Sequence, residues 1–254
     1  MPHVWKACML LAVISDVHAN ALALDACLAR CAALAVDQFV FLGDLVGYGS
    51  DPEAVVSRIA ALTAAGAVAI LGNHDEAIWA AKPNMNDAAM AAILWTRSRL
   101  DGNALRFLQG LPMTASREDI VFVHGDASEP GRWNYVTDEA AARKSLAATT
   151  ARVTFCGHVH VPQLFCLTSS GRTVTHRPAT GVPIPLGPRH RWLAVAGAAG
   201  QPRDGNPAAS FLTYDTSTRE LVYQRAAYDT EAAAARMRAA GLPERLAERL
   251  MTGH

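Results

Sequence analysis

Metal-binding side chains stand directly after five short apolar runs of this sequence, and together they could hold two divalent cations. These residues are Asp16, His18, Asp44, Asn73, His74, Asp75, His124, His158 and His160. Carboxylate, amide and imidazole groups without a thiolate suit Mn, Fe, Zn or Ni rather than a structural zinc site. Two such cations in one site can activate water against a phosphate ester, so these residue types predict phosphoester hydrolysis.

The apolar runs predict buried strands, because each is short and rich in β-branched and aromatic residues. They cover residues 9–14, 39–42, 68–71, 120–123 and 153–156. In open α/β sheets, ligands gather at the carboxyl ends of such strands. Adjacent strands are therefore expected to bring the metal-binding side chains to one edge.

Two of the strand ends carry pairs of metal-binding residues two positions apart. Asp16 and His18 form one pair, and His158 and His160 form the other. In an extended backbone, residues i and i+2 project to the same side, so each pair is expected to present two ligands side by side. One such pair alone is more often a partly exposed histidine in a loop, but five strand ends of this kind favour a metal site.

Helical patterns separate these strands, which indicates βαβ units and a mostly parallel sheet in the first 160 residues. The predicted helices cover residues 20–36, 51–66, 86–100 and 137–150. The second of them begins with Asp51 as N-cap and Pro52 at the first helical position.

Turn signals between short apolar runs dominate the chain after His160. They predict hairpins over residues 163–176 and 211–225, a strand at 192–195, and terminal helices from residue 230 onward. Because these late strands cannot easily fold alone, we expect them to form a second sheet packed on the first, within a single domain spanning residues 1–254.

Composition narrows the classes of function. The 254 residues are 51% hydrophobic and 18% charged, and their formal net charge is zero, which argues against a general nucleic-acid-binding face. No stretch is long enough to span a membrane, and the apolar run at residues 8–14 is interpreted as a strand rather than a signal peptide. Five cysteines without a C-x-x-C motif are expected to be buried reduced thiols, so a cytoplasmic location is predicted.

The motif blocks resemble, in order, those of the calcineurin-like metallophosphoesterase superfamily. The blocks are Asp16-x-His18, Gly43-Asp44, Gly72-Asn73-His74-Asp75, His124-Gly125 and Gly157-His158-x-His160. Residues 15–20, 43–49 and 197–205 are similar to the compact bacterial and archaeal phosphodiesterase-like branch. The resemblance implies an α/β (α+β) fold with four αββα layers, in which two mixed β-sheets are flanked by helices.

The resemblance also implies a ligand set and a mechanism. One metal would be held by Asp16, His18 and His160, the other by Asn73, His124 and His158, and Asp44 would bridge them. A hydroxide between two divalent transition metal ions (Mn, Fe, Ni or Zn) would attack phosphorus in line. His74 would assist the leaving group or contact the phosphoryl group, and Asp75 would be a partner of the His74 imidazole.

Three residues are candidate substrate contacts, and two of them have a simpler alternative. Asn20 either binds near the metals or caps the following helix, and Arg203 either holds a phosphate or is a surface charge. Tyr48 lies where protein Ser/Thr phosphatases and the similar dinucleoside tetraphosphate hydrolases carry a phosphate-binding arginine. The absence of that arginine argues against both classes. An aromatic rim is also expected, and its candidates are Trp79, Trp95, Trp133 and Tyr135, although core packing is favoured for Trp95.

A phosphodiesterase acting on a small phosphate ester or nucleotide is the favoured function. The alternatives are a dinucleoside polyphosphate hydrolase, a phosphomonoesterase, or a non-catalytic scaffold of the same fold, which retention of His74 argues against. The loops at residues 77–87 and 125–136 are expected to select the substrate. The oligomeric state stays open, and a homo-oligomer is one of the options.

Overall fold

The computed structural model describes residues 8–80 and 85–254, so part of the predicted substrate loop at 77–87 lies outside the described residues. The strands are β1 (Leu10–Ile14), β2 (Gln38–Phe41), β3 (Val68–Ala69), β4 (Thr114–Arg117), β5 (Ile120–Val123), β6 (Val153–Cys156), β7 (Gln163–Leu167), β8 (Thr173–His176), β9 (Ile184–Pro185), β10 (Arg191–Val195), β11 (Ala209–Asp215) and β12 (Glu220–Ala226). The helices are α1 (Ala21–Ala33), α2 (Pro52–Ala64), α3 (Asn73–Ala77), α4 (Asp87–Arg99), α5 (Gly102–Gln109), α6 (Glu139–Ala147), α7 (Thr230–Ala239) and α8 (Glu244–Thr252).

The strands form two mixed sheets of six strands each. The first sheet has the order β3-β2-β1-β11-β12-β9, and the second has the order β4-β5-β6-β10-β7-β8. Pairing is parallel within β3-β2-β1 and within β5-β6-β10. The remaining neighbours pair antiparallel.

The late strands do not make a sheet of their own, so that part of the prediction is wrong. β11, β12 and β9 extend the first sheet beyond β1, while β10, β7 and β8 extend the second sheet beyond β6. Each extension pairs a strand edge that would otherwise expose unpaired backbone N–H and C=O groups. Early and late segments therefore interleave in both sheets.

Apolar side chains between the sheets, and between each sheet and its helices, produce the predicted four αββα layers. Leu11 and Leu212 of the first sheet pack in one buried cluster with Phe122 and Phe155 of the second. On the outer faces, helices α1 and α2 cover the first sheet, and α6 covers the second sheet with Leu146 against it. The strands that precede the metal-binding residues therefore pack against the other sheet on one face and against helices on the other.

Several helices agree with the sequence pattern, and two short elements do not. Helix α1 begins after Asn20 and α2 begins at Pro52, as predicted. Helix α5 was missed, although Asp101 caps it by accepting a hydrogen bond from the N–H of Ala104. The apolar run at residues 68–71 is a strand only at Val68–Ala69, because the chain turns into α3 at residue 73.

The C-terminal helices α7 and α8 form a hairpin against the metal-binding side of the molecule. Met237 of α7 and Leu250 of α8 share a buried cluster with Ala89 of α4 and with Tyr48. The last helix therefore stands close to the loop that follows β2.

The cysteines follow the composition-based prediction with one exception. All five cysteines are free; four are buried as predicted, but Cys8 is exposed. Among residues 8–80 and 85–254, no helix has both the length and the apolar character needed to cross a membrane.

Candidate metal centre

The seven predicted metal-binding residues converge where the two sheets meet. Asp16 follows β1 and Asp44 follows β2 in the first sheet, while His124 follows β5 in the second sheet. All seven are buried except Asn73, which is partly buried at the start of α3. Both sheets therefore contribute to one centre, at the carboxyl ends of their parallel strands.

One group of side chains consists of Asp16, His18 and His160. The Nε2 atom of His160 lies 3.2 Å from Asp16 Oδ1 and 3.1 Å from His18 Nε2. These three residues can offer ligand atoms that all lie within 4.8 Å of one another.

A second group consists of Asp44, His124 and His158, with Asn73 beside it. His124 Nε2 lies 3.2 Å from His158 Nδ1 and 3.1 Å from Asn73 Oδ1. Asp44 Oδ2 lies 3.4 Å from His124 Nε2 and 3.7 Å from His18 Nε2. Asp44 therefore stands between the two groups.

Backbone carbonyl groups orient three of the imidazoles. The Nδ1 atoms of His18, His124 and His160 lie 3.2 Å from Val46 O, 2.7 Å from Leu42 O and 2.6 Å from Gln201 O, respectively. A carbonyl only accepts, so each neutral ring carries its proton on Nδ1 and directs the lone pair of Nε2 into the centre. This arrangement is the one in which histidine binds metals.

Several hydrogen-bond acceptors face one another in the centre, and none of them carries a hydrogen to donate. His18 Nε2, His160 Nε2 and Asp16 Oδ1 face one another, and Asp16 Oδ1 is buried without a hydrogen-bond partner among the described residues. Buried acceptors of this kind are costly unless a cation or proton satisfies them. The donor set thus fits divalent transition metal ions.

The acidic and basic groups of the centre shift one another's pKa. Burial alone would raise the pKa of Asp44, but His124 and His74 hold it well below its usual range. Burial alone would lower the pKa of His124, but Asp44 outweighs it and raises the pKa to about 9. Without metal, a proton on His124 therefore balances the carboxylate charge that a cation would otherwise balance.

The backbone under these residues is not extended. Asp16, His18, Asp44, His158 and His160 have φ values between 48° and 67°, in the left-handed region that favours glycine. The extended backbone assumed by the i, i+2 argument is therefore wrong. Asp16 and His18 nevertheless lie side by side, with His18 Nε2 3.7 Å from Asp16 Oδ1, whereas His158 and His160 face different groups. Five such residues each carry backbone strain of about 1–3 kcal/mol, which surrounding contacts must offset.

Two glycines allow the strands to approach closely around the carboxylates. A Cβ atom on Gly72 would lie 2.2 Å from Asp44 Oδ1, and one on Gly157 would lie 2.5 Å from Asp16 Oδ2. Any larger residue at either position would displace a candidate ligand.

His74 lies within the helix α3 rather than in an extended segment. Its backbone N–H donates to Asp44 Oδ1 at 2.8 Å, and its ring centroid lies 4.4 Å from that of Tyr48 and 4.9 Å from that of His18. Its ring could also join His18 and Asp44 as a metal ligand, since the three meet the same distance limit. Burial lowers the pKa of His74 to about 4, although Asp44 opposes this, so the ring is neutral at pH 7.

Asp75 is not placed against the His74 imidazole. One of its oxygens accepts from the N–H groups of Leu45 and Val46 at 2.9 and 3.1 Å, and the other accepts from Gly72 N–H at 3.0 Å. Burial, with the charge of Asp44, raises the pKa of Asp75 to about 7. The carboxyl group therefore joins α3 to the loop that carries Asp44.

Asn20 and Arg203 lie near the centre with different contacts. Asn20 caps α1 by accepting from Ala23 N–H, and its Nδ2 donates to Gly200 O and Tyr228 Oη, so its side chain serves the fold. The Arg203 guanidinium stands 5.6 Å from the Tyr48 ring centroid and donates to Gln201 Oε1 at 3.0 Å.

A cleft of about 350 Å³ opens beside the metal-binding groups. Tyr48, Asn73, His74 and His158 lie at its inner end, and Trp133 and Tyr135 lie on its walls. Tyr135 stacks on His158 at 4.0 Å with an angle of 12° between the rings. Trp79 and Trp95 pack on the apolar clusters instead, as favoured for Trp95.

Sequence reasoning missed the groups that orient the histidines. The carbonyls of Leu42, Val46 and Gln201 belong to the backbone, and no side-chain pattern marks them.

The chain matches a known family. The family model described as the calcineurin-like phosphoesterase superfamily domain matches residues 9–219, and the chain is a member of that family. The family depends on two metal ions, and the His and Asp groups above could bind them.

Individual relatives agree with this assignment. The chain is 30% identical over 250 residues to an uncharacterized protein of Methanocaldococcus jannaschii, covering 96% of this chain and 98% of that protein. It is 34% identical to a metallophosphoesterase from Sphaerobacter thermophilus of known crystal structure, with a TM-score of 0.85 and coverage of 97% and 100%. A hypothetical protein from Pyrococcus horikoshii shares the fold at 20% identity, with a TM-score of 0.79 over 96% of this chain and 98% of that one.

Proposed function

We propose that this protein is a binuclear metal-dependent phosphoesterase that prefers phosphodiesters. The observation that carries the proposal is the position of Asp44 between two groups of buried ligand atoms, at the inner end of an open cleft. A carboxylate with two oxygens can serve two cations at once.

The proposed ligands follow the two groups. Asp16, His18 and His160 would hold one cation, while Asn73, His124 and His158 would hold the other, with Asp44 shared between them. When bound, the divalent cations supply Lewis acidity, which activates water at neutral pH and offsets charge on the phosphoryl oxygens.

His74 is the proposed catalytic side chain outside the ligand set. It lines the cleft beside Tyr48, and its backbone N–H is fixed by Asp44. Because the ring is neutral at pH 7, one ring N–H is available to donate to the phosphoryl or leaving-group oxygen of the substrate. Asp75 would act as a positioning residue, since its contacts fix α3 relative to the Asp44 loop.

The shape of the cleft supports a diester. A volume of about 350 Å³ walled by Trp133 and Tyr135 leaves room for a substituent on each side of phosphorus. Aromatic walls also suit a planar or nucleoside group.

The first experiment compares substrate classes on protein reconstituted separately with Mn, Fe, Ni and Zn. We expect faster turnover of bis(4-nitrophenyl) phosphate than of 4-nitrophenyl phosphate. The reverse order would assign a phosphomonoesterase, and selective cleavage of diadenosine tetraphosphate would assign a dinucleoside polyphosphate hydrolase. Absence of turnover with every metal and substrate would favour the non-catalytic scaffold.

The second experiment tests His74 with the His74→Ala variant. Loss of this hydrogen-bond donor should lower kcat by about 10²–10³-fold while the protein still binds two metal ions. An unchanged rate would remove His74 from the mechanism. A fall in metal content by elemental analysis would show that it is a ligand instead, as its distance from His18 and Asp44 permits.

A further inference from the structure

Arginines without a carboxylate partner lie on the side of Tyr48 that borders helix α8. Arg203 stacks on the Tyr48 ring, and its Nε atom is buried without a hydrogen-bond partner in the described chain. The adjacent carboxylate, Asp204, does not neutralise it, because Arg225 of β12 binds Asp204. The positive charge of Arg203 is thus uncompensated beside the candidate catalytic residue His74, which contacts Tyr48.

Helix α8, whose Leu250 shares a buried cluster with Tyr48, adds two more arginines nearby. Arg245 and Arg249 are four residues apart, so they lie on one face of the helix. Arg245 donates to Asn86 Oδ1, and Asn86 lines the cleft. Burial, followed by the positive charges of Arg203 and Arg245, lowers the pKa of Arg249, whereas Tyr48 raises it.

Arg203, Arg245 and Arg249 carry like charges on neighbouring segments and repel one another. Among the ion pairs of the described residues, none joins Arg203, Arg245 or Arg249 to a carboxylate. An oxyanion bound between them would turn this repulsion into charge-assisted hydrogen bonds, which the planar guanidinium forms well with carboxylate and phosphate.

We propose that Arg203 and Arg249, assisted by Arg245, form a second anion-binding position beside Tyr48, on the side of the cleft that borders α8, which receives an oxyanion on the leaving group of the substrate. The leaving-group side is assigned because Tyr48 joins Arg203 to His74, the residue proposed to assist that group. This inference rests on the proposed function, and it narrows the substrate to a diester whose leaving alcohol carries its own negative charge.

The turnover test uses two diesters that differ by one charge on the leaving group. These are methyl 4-nitrophenyl phosphate and methyl 3-carboxy-4-nitrophenyl phosphate, assayed with the metal-loaded enzyme. The ratio of kcat/KM for the charged over the uncharged diester should fall about tenfold in Arg203→Gln and in Arg249→Gln. Comparing this ratio between proteins cancels the intrinsic reactivity of each ester.

Arg238→Gln is the matched control. Arg238 lies on the neighbouring helix α7, is 47% exposed and pairs with Glu244 away from the cleft. Its ratio should equal that of the wild type. Equal ratios in all four proteins, or an equal loss in Arg238→Gln, would overturn the inference.

A binding test needs no turnover. Phenylphosphonate, 3-carboxyphenylphosphonate and benzene-1,3-diphosphonate are titrated into the metal-loaded protein by calorimetry, so that carboxylate and phosphoryl groups are compared directly. Ligands with a second anionic group should bind more tightly than phenylphosphonate. Loss of that difference in Arg203→Gln and Arg249→Gln supports the anion position even if no diester is cleaved. Cleavage of both diesters without any charge preference would instead retain the phosphoesterase and remove the anion position.

Discussion

The floor and the mouth of the cleft are built by different means. We define the floor as the seven candidate metal ligands and the mouth as Trp133, Tyr135 and Arg203. The floor residues follow strands of both sheets, and backbone carbonyls orient three of their rings. The mouth residues lie on loops, and Tyr135 is 56% exposed.

This difference separates turnover, which depends on the floor, from the choice of substrate, which depends on the mouth. The floor is fixed by hydrogen bonds among buried groups, where losing one partner has a large effect. The mouth depends on ring stacking and on arginines near solvent, where single changes have smaller effects. We therefore expect floor substitutions to abolish turnover and mouth substitutions to change the choice of substrate.

The largest effect is expected for Asp44→Asn in the floor. The amide keeps an oxygen for His74 N–H but removes the charge shared by the two metal groups. Turnover of a diester should fall by about a thousandfold. Elemental analysis should find fewer than two metal ions per chain.

The matched control for that substitution is Asp126→Asn. Asp126 is also buried, but it accepts from Ser128 and Asn134 rather than facing the histidine rings. Two metal ions per chain should remain in this variant. If both variants lose metal equally, the loss reflects a general need for buried carboxylates in folding. Asp44 would then have no specific role in metal binding.

Asp75→Asn, directly under the floor, should lower the stability of the protein and loosen the position of α3 relative to the Asp44 loop. An amide in place of the carboxylate sets an N–H donor against one of three backbone N–H groups. We expect the free energy of unfolding to fall by about 1–3 kcal/mol in urea titrations.

Asp215→Asn tests whether that loss depends on burial. Asp215 Oδ1 accepts from the N–H groups of Ser217 and Thr218 in an exposed turn, where water can replace a lost partner. A change well below 1 kcal/mol is expected there. Equal losses in the two variants would contradict a special role for Asp75.

The types and order of the floor residues made the family and the αββα fold predictable from the sequence. Ligand chemistry is carried by side chains, and a strand followed by Asp, Asn or His is visible in the chain itself. The amphipathic period of α1 and the Asp51–Pro52 start of α2 were readable for the same reason.

The backbone geometry of the floor was not predictable from side-chain periodicity. Left-handed φ values at Asp16 and His158 depend on tertiary contacts, such as the hydrogen bond from His158 N–H to Asp16 Oδ2 at 3.0 Å. The division of late strands between two sheets was missed because strand pairing depends on long-range packing. Arg249 was missed because no motif includes a residue on the last helix.

The pH dependence of metal binding should distinguish the two groups of the floor. In the metal-free protein, burial would lower the pKa of His124, but Asp44 raises it to about 9, so a metal at this group must displace a proton at pH 7–8. Burial holds the pKa of His18 well below its usual value, so the other group has no His18 proton to release.

Calorimetry in buffers of different ionisation enthalpy measures this release. One Mn²⁺ site should release about one proton and tighten about tenfold per pH unit between pH 7 and 8, levelling off above pH 9. Identical proton release at both sites would contradict the distinction between the groups.

The smallest effect is expected at the boundary of the two regions, where Tyr135 of the mouth stacks on His158 of the floor. Tyr135→Leu removes the stacked ring, so metal affinity at the His158 group should weaken about two- to tenfold, as the loss of one aromatic pair implies. Tyr135→Phe keeps the ring and should leave that affinity unchanged in the same titration. If the Phe variant weakens binding as much as the Leu variant, the hydroxyl rather than the stacking connects the mouth to the floor.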